Sequence, residues 1–253
     1  SPSNVVRVDL DRGTSKAFFD RGLPIKRSDY VTKNTYYTSR DGTRIPIFIS
    51  HKKGLELKGN NPVFMYAYGM GGWVATPWYQ PQMLTFIEMG GVFIMPGIRG
   101  GGEFGEAWTK GGIKLNRQNA IDDYISAAQY MVDKKYTSAG KVVANGWSAS
   151  GSLAAAATIQ RPDLFGAAMI GIPSLDMIRY EKFTAFKGWT GGYGSSSIQE
   201  EFVNLYKWSP YHNIRSSTCY PPMIVTVGEK DRTTPPQHGY KFIALMQANQ
   251  REC

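Results

Sequence analysis

Residues 144–157, ANGWSASGSLAAAA, carry the pattern in this sequence that most directly suggests covalent chemistry. Ser148 follows an apolar stretch and precedes an alanine-rich run, as a nucleophilic serine does where a strand turns sharply into a helix. Such a serine attacks acyl carbonyl groups. The pattern G-x-S-x-G needs small residues such as Gly146 and Gly151, because strand and helix approach closely, but Ser150 occupies its last position. We favour a nucleophile, and a structural turn in which Ser150 caps the helix is the alternative.

An acid that could orient a catalytic histidine follows a later apolar segment. Asp231 lies in MIVTVGEKDRTTPP, directly after a predicted strand. The order serine then aspartate along the chain suits the catalytic triad of an α/β-hydrolase. A surface turn in which Asp231 caps the next helix explains the residue equally well.

The base of such a triad has no clear candidate in the sequence. The histidines are His51, after an early strand, His212, before the Asp231 strand, and His238, inside the closing helix. In the order Ser, Asp, His the base comes from a further loop, and the chain stops at Cys253. We therefore expect all three to be structural or surface residues and the catalytic histidine to lie beyond the end of this chain.

Residues 100–105, GGGEFG, formally match the dinucleotide-binding pattern G-x-G-x-x-G after the predicted strand GVFIMP. The next residues, EAWTKGG, are not expected to open a helix, because two glycines interrupt them. Asp122 and Asp123 fall within a strong helical pattern instead of ending a second strand. A dinucleotide site is therefore disfavoured.

The apolar segments predict an α/β fold. PVFMYAY, GVFIMP, KVVANG, AAMIG and PMIVTVG are typical of buried strands. YQPQMLTFIEM, NRQNAIDDYISAAQYMVDKK, the alanine run and PPQHGYKFIALMQ are typical of helices. Alternating strands and helices favour a mostly parallel sheet with helices on both faces.

Composition narrows the classes of partner. The 253 residues carry a net charge of +9, but the lysines and arginines are scattered, so no nucleic acid is expected as a partner. No apolar run is long enough to span a membrane, and no membrane partner is expected. Two cysteines imply no disulfide framework, which favours a cytoplasmic location. No metal or cofactor is implied, and the oligomeric state is not indicated.

Taken in order, several segments resemble the prolyl oligopeptidase family of serine peptidases. They are SRDGTRIPIFISHKKG, YAYG, IRGGGEFGEAWTKGG, QNAIDDYISAAQYM, QRPDLFGAAM, LDMIRYEKFT, WTGGYG and SPYHNI. The resemblance runs from about residue 35 to about residue 248. It implies an α/β-hydrolase fold, truncated before the last strand and helix of the family. In that family a β-propeller covers the active site, so residues 1–30 are expected to be propeller or linker and residues 31–253 the incomplete catalytic domain.

The resemblance also implies roles for individual residues. Ser148 matches the nucleophile and Asp231 the acid of a Ser-Asp-His triad. Tyr68 matches the tyrosine whose hydroxyl binds the oxyanion, together with the backbone N–H of Ala149. The implied activity is hydrolysis of short peptides after proline, and the chain alone is expected to be inactive without its histidine.

The pocket implied by the resemblance has both matches and departures. Trp189 and Tyr193 match the aromatic residues that receive proline, and stacking of an indole on a pyrrolidine ring is a reasonable basis for that choice. Gly71 stands where members that cut after proline carry a phenylalanine, and Thr233 where they carry a substrate-binding arginine. Ala149 and Ser150 replace the usual residues after the nucleophile. These departures keep two alternatives open, which are an inactive relative acting as a binding module and an esterase on the same fold.

Overall fold

The computed structural model describes residues 5–19, 25–185 and 187–250. Within these ranges the apolar segments form strands where the sequence predicts them. The strands are β1 (Val5–Asp9), β2 (Thr14–Phe19), β3 (Tyr30–Thr38), β4 (Arg44–Lys52), β5 (Val63–Tyr66), β6 (Val92–Pro96), β7 (Val142–Trp147), β8 (Phe165–Gly171) and β9 (Met223–Thr226).

A seven-stranded sheet with the order β3-β4-β6-β5-β7-β8-β9 forms the centre of the fold. The pairings from β6 through β5, β7 and β8 to β9 are all parallel, whereas β3 with β4 and β4 with β6 are antiparallel. Strands inside a parallel sheet are covered on both faces, and Val63, Phe64 and Met65 of β5 are accordingly all buried. The sheet confirms the predicted α/β class with mostly parallel strands.

Helices connect the strands. They are α1 (Pro81–Glu88), α2 (Glu106–Lys110), α3 (Arg117–Asp133), α4 (Ala149–Gln160), α5 (Tyr180–Phe183), α6 (Thr190–Tyr193), α7 (Gln199–Trp208) and α8 (Gln237–Asn249). Helix α4 packs on β7 and β8, and α3 packs on α4. Residues 149–159 of α4 are all buried, which explains why they are small or apolar on every side of the helix.

The short helix α2 corrects one expectation. EAWTKGG was expected to open no helix, but Glu106–Lys110 is helical directly after GGGEFG. The helix stops after five residues at Gly111, so the glycines limit its length without preventing it.

The first two strands form a hairpin outside the main sheet. β1 and β2 pair with each other in an antiparallel, two-stranded sheet, and their residues are all exposed, including Val8 and Phe18. The seven-stranded sheet begins at Tyr30. The two sheets thus separate near the predicted domain boundary, and assignment of residues 1–30 to a propeller or linker stays a prediction.

None of the helices in the described ranges is both long and apolar enough to cross a lipid bilayer.

Cys219 is disulfide-bonded, although the cysteine count predicted no disulfide framework. The cytoplasmic location inferred from that count stays a prediction.

Candidate active site

Ser148 lies between β7 and α4 in a backbone conformation that few residues other than glycine adopt. Its φ is 58° and its ψ is −124°. Residues held in such sparsely populated regions cost roughly 1–3 kcal/mol each and cluster at functional sites. The Ser148 N–H donates to the Gly171 carbonyl over 2.9 Å, and the Ser148 carbonyl accepts the Ser152 N–H at 3.2 Å. These bonds hold the bend between the end of β8 and the first turn of α4.

The residues around Ser148 are small because the strand and the helix nearly touch. A Cβ on Gly146 would lie 2.0 Å from the Ser150 carbonyl oxygen, and one on Gly151 would lie 2.8 Å from the Gly171 carbonyl oxygen. Ser150 is fully buried, and its hydroxyl donates to the Ala67 carbonyl. Helix α4 has no side-chain cap at its N-terminus. Ser150 therefore connects the bend to the end of β5 and does not cap the helix.

Tyr68 follows β5 and is half-buried. Its ring packs on Trp73, with 5.6 Å between the ring centroids. Trp73 in turn contacts Tyr66 and Trp78 edge-on, at 6.2 and 5.6 Å. This aromatic cluster folds the loop after Tyr68 back over β5. The sequence analysis did not identify Trp73, although an aromatic residue five positions after Tyr68 could have suggested a contact with it.

The Gly-rich residues 100–105 have a structural role beside this loop. A Cβ on Gly100 would lie 2.3 Å from the Gly69 carbonyl oxygen, and one on Gly112 would lie 2.2 Å from the Arg99 carbonyl carbon. The Gly72 N–H donates to the Gly100 carbonyl over 3.2 Å. Glycine is required here because three backbone segments pass within contact distance, which accounts for the pattern without a dinucleotide.

Trp189 and Tyr193 lie close together, as the resemblance implies. Their ring centroids are 6.2 Å apart, and Tyr193 also contacts Tyr180 and Trp208 at 5.5 and 5.9 Å. Tyr193 is only 2% exposed, and its hydroxyl lies near Ser152 of α4. Burial raises the pKa of Tyr193. Tyr193 therefore packs against Trp189, and Trp189 is the more exposed of the two rings.

Met70, in the loop after Tyr68, packs against α6, the helix that contains Tyr193. Its side chain is buried, and its sulfur would lie 2.7 Å from a Cβ on Gly192. The loop after Tyr68 therefore packs directly against α6, next to Tyr193. Sequence reasoning did not single out Met70, since a lone methionine has no diagnostic spacing.

Asp231 lies in the loop after β9 and its carboxylate is held by that loop. One oxygen accepts the N–H groups of Thr233 at 2.8 Å and Thr234 at 3.0 Å, and the other accepts the Thr234 hydroxyl at 2.9 Å. Burial alone would raise the pKa of Asp231, but the bonds from Thr234 and Thr233 outweigh burial and lower it. Asp231 is accordingly ionised at neutral pH, with lone pairs left for a further donor.

Thr233 is exposed, and its carbonyl accepts the Thr184 hydroxyl over 2.8 Å. The preceding residue, Arg232, is also exposed. Sequence reasoning looked for a cation two positions beyond Asp231 and found Thr233. The sequence analysis did not identify Arg232, the cation one position after Asp231, as a candidate for binding substrate.

The sheet brings the Ser148 and Asp231 loops to the same edge. β7, β8 and β9 are consecutive, parallel neighbours, so the segments that follow β7 and β9 both leave from the carboxyl ends of the strands. Two strand spacings of about 4.8 Å separate them within the sheet.

The three histidines are hydrogen-bonded elsewhere. His51 Nδ1 bonds to the Lys52 carbonyl at 2.8 Å, and His212 Nδ1 to the Ser209 hydroxyl at 2.8 Å. His238 is buried, and its Nδ1 accepts the N–H groups of residues 175 and 176 at 3.3 and 3.2 Å. Burial lowers the pKa of His238 to about 4. Each ring thus has a structural partner away from Ser148 and Asp231.

Most of the chain matches known proteins of one family. The model of the prolyl oligopeptidase family, Peptidase_S9, matches residues 77–253. A prolyl endopeptidase of Elizabethkingia miricola is 38% identical over 99% of this chain and 36% of its own length. A dual-function macrocyclase-peptidase of Galerina marginata is 40% identical over 98% of this chain and 35% of its own length.

Solved structures extend the comparison to the fold. A structure from a study of two prolyl endopeptidases superposes with a TM-score of 0.95 and 34% identity, covering 99% of this chain and 37% of the other. The chain thus spans little more than a third of the length of these relatives. The family match, the identities and the shared α/β-hydrolase fold establish that this chain belongs to the prolyl oligopeptidase family.

Proposed function

We propose that the protein to which this chain belongs is a serine peptidase that hydrolyses short peptides after proline. The observation that carries the proposal is the strained conformation of Ser148 at the junction of β7 and α4. A turn that merely joined a strand to a helix would not need a serine with a positive φ. The names of the relatives, which are prolyl endopeptidases and a macrocyclase-peptidase, supply the reaction class.

In the proposed reaction the Ser148 hydroxyl attacks the carbonyl carbon of the scissile bond. A histidine takes the serine proton and passes it to the leaving amine, and water then releases the acyl group by the reverse sequence. We propose that this histidine lies outside residues 1–253, since His51, His212 and His238 all have other partners. Removing a triad member leaves little more than binding and oxyanion stabilisation, so the chain alone should be nearly inactive.

Asp231 would orient that histidine. Its carboxylate is fixed by the Thr233 and Thr234 N–H groups and is ionised at neutral pH. A fixed, ionised acceptor holds one tautomer of the imidazole and stabilises the imidazolium form.

The oxyanion would be held by the Tyr68 hydroxyl and the Ala149 N–H. The Ala149 N–H belongs to the first turn of α4, whose N–H groups have no intrahelical partners. Ser150 ties this turn to Ala67, the residue before Tyr68, so the two donors lie on adjoining segments. Donors aimed at a developing negative charge are usually the largest single catalytic contribution.

The proline preference would depend on Trp189, whose ring packs against Tyr193. Kinetics of the full-length protein on matched peptides with proline or alanine before the scissile bond tests this. We expect faster cleavage after proline, a loss of that preference in Trp189→Ala, and no cleavage by Ser148→Ala. Equal cleavage of both peptides by the wild type would contradict the proposed specificity.

An inactive relative that acts as a binding module is the second candidate. It is favoured by the three histidines, which already have other hydrogen-bond partners. It is also favoured by Ala149, Gly71 and Thr233, which depart from the residues that the family resemblance implies for active members. Full-length protein that binds proline peptides but never cleaves them would support this candidate. Cleavage of simple esters without cleavage of peptides would instead indicate an esterase.

A further inference from the structure

Arg117, the first residue of α3, is fully buried and bonds to three separate backbone segments. Its Nη1 donates to the Gly69 carbonyl at 2.5 Å and to the Gly112 carbonyl at 3.4 Å. Its Nη2 donates to the Ala149 carbonyl at 3.3 Å. One planar group thus joins the loop after Tyr68, the end of the Gly-rich segment and the first turn of α4.

No acidic side chain among the described residues balances this charge. Burial lowers the pKa of Arg117, and only the hydroxyls of Tyr193 and Tyr68 oppose that shift. The rings of Tyr193 and Trp208 each lie 6.0 Å from its Cζ, within range of a weak cation–π contact. The Arg117 Nε has no hydrogen-bond partner among the described residues.

Arg99 provides a contrast inside the same protein. It is also largely buried, but it pairs with Asp123 at 2.6 Å and with Asp41 at 2.5 Å. Burial alone would lower the pKa of Arg99, but the bonds to Asp123 and Asp41 outweigh it and raise the pKa. Arg99 therefore has the environment of a structural ion pair, whereas the described residues that surround the buried Arg117 offer it only carbonyls, hydroxyls and rings.

The carbonyls that Arg117 holds belong to particular residues. The Gly69 carbonyl follows Tyr68 directly, and the Ala149 residue carries the second proposed oxyanion donor. Burying an unpaired cation is unfavourable, and an apolar side chain of similar length would fill the same space without that cost. What an apolar side chain cannot do is fix these two segments relative to each other by directional hydrogen bonds.

We propose that Arg117 is a positioning residue for the oxyanion site, which sets the Tyr68 hydroxyl and the Ala149 N–H at the spacing that the developing oxyanion needs. This inference rests on the proposed function. A buried positive charge near the Tyr68 hydroxyl also favours negative charge on the reacting oxygen.

The test uses the full-length protein and two readouts. The first is the second-order rate at which a fluorophosphonate labels Ser148, and the second is kcat and KM on a proline peptide. The variants are Arg117→Met, which removes the hydrogen bonds and the charge, and Arg117→Lys, which keeps the charge. The control is Arg161→Met, which removes one charge at the far end of α4, where Arg161 pairs with Asp163 in a surface ion pair.

In Arg117→Met we expect the labelling rate and kcat to fall about 10- to 100-fold, a little less than loss of one oxyanion donor. KM should change less than about threefold, because the ground-state carbonyl gains little from these donors. Arg117→Lys should recover part of the loss, because an ammonium keeps the charge but cannot hold both carbonyls in one plane. Arg161→Met should match the wild type.

Several outcomes overturn the inference. Wild-type labelling rates in folded Arg117→Met overturn it, as does a rate that falls only in proportion to the folded fraction. If Arg117→Met does not fold, the inference is overturned by an Arg117→Lys variant with the labelling rate and kcat of the wild type. Wild-type protein that labels at Ser148 but cleaves no peptide refutes the proposed peptidase, while the labelling comparison still tests Arg117. Wild-type protein that does not label at Ser148 refutes both.

Discussion

Replacing Ser148 by glycine measures the backbone strain at the proposed nucleophile directly. Ser148 has φ 58° and ψ −124°, a conformation that costs a residue with a Cβ about 1–3 kcal/mol. Glycine relieves this strain because it lacks a Cβ. The extra freedom of glycine in the unfolded chain offsets about 0.5–1 kcal/mol of the gain. Taking the middle of each range, the expected net gain in the free energy of unfolding is therefore about 1 kcal/mol.

The comparison that isolates strain is Ser148→Gly against Ser148→Ala. Both variants lack the hydroxyl, and only the alanine keeps the Cβ, so the difference between them is the backbone cost. For a chain of 253 residues the expected gain raises the Tm of Ser148→Gly by about 2–4 °C over Ser148→Ala. Thermal unfolding followed by circular dichroism measures it.

Ser126, in the interior of α3, provides the matched control. There the backbone is helical, so Ser126→Gly should be less stable than Ser126→Ala by about 1 kcal/mol, the difference in helix propensity between the two residues. It should therefore unfold at a lower temperature. The same substitution pair thus gives opposite signs at residues 126 and 148. A Ser148→Gly variant no more stable than Ser148→Ala would refute the reasoning that the serine is held under strain.

Three further predictions concern the groups around this site. Asp231→Asn in the full-length protein should lower kcat by about four orders of magnitude, as expected when a triad acid no longer fixes the imidazole tautomer, measured with the proline peptide. The lowered pKa of Asp231 means that its carboxylate stabilises the fold above the ordinary aspartate pKa, and this contribution is lost as pH falls through the lowered value. The stability difference between wild type and Asp231→Asn should therefore vanish in strong acid, and a constant difference would contradict the assignment. The pKa of His238 is lowered to about 4, so this residue should destabilise the fold by up to roughly 3 kcal/mol as pH falls from about 6.5 to about 4. Urea unfolding should show the free energy of unfolding decreasing over this pH range in the wild type and changing less in His238→Gln. Gly100→Ala should disturb the Tyr68 loop, since its Cβ would lie 2.3 Å from the Gly69 carbonyl oxygen, whereas Gly105→Ala has a similar positive φ and no atom within 4 Å. Fluorophosphonate labelling should therefore slow markedly more in Gly100→Ala than in Gly105→Ala, and equal slowing would show that contact with Gly69 is unimportant.

Periodicity and residue type were sufficient to predict the central elements. The strand before Ser148 and the helix after it are visible because an apolar stretch meets a run of alanines. Helix α3 is visible because its apolar residues recur at helical spacing. Both signals are local, and the sheet follows from their alternation.

Other features depend on contacts between distant segments. The role of Ser150 required the position of the Ala67 carbonyl, which lies in another strand–loop junction. Arg117 at the start of a helix has the sequence pattern of a surface charge, and only the approach of residues 69, 112 and 149 shows otherwise. The short helix α2 was missed because flanking glycines outweigh five helical residues in a propensity argument.

The proposed peptidase activity requires Ser148 to be the reactive nucleophile. The most direct measurement is to treat the full-length protein with a fluorophosphonate and to locate the adduct by peptide mass spectrometry. We predict one adduct, on the peptide that contains Ser148, and its loss in Ser148→Ala. An adduct on another residue, or labelling that persists in Ser148→Ala, would contradict the assignment of Ser148 as the nucleophile.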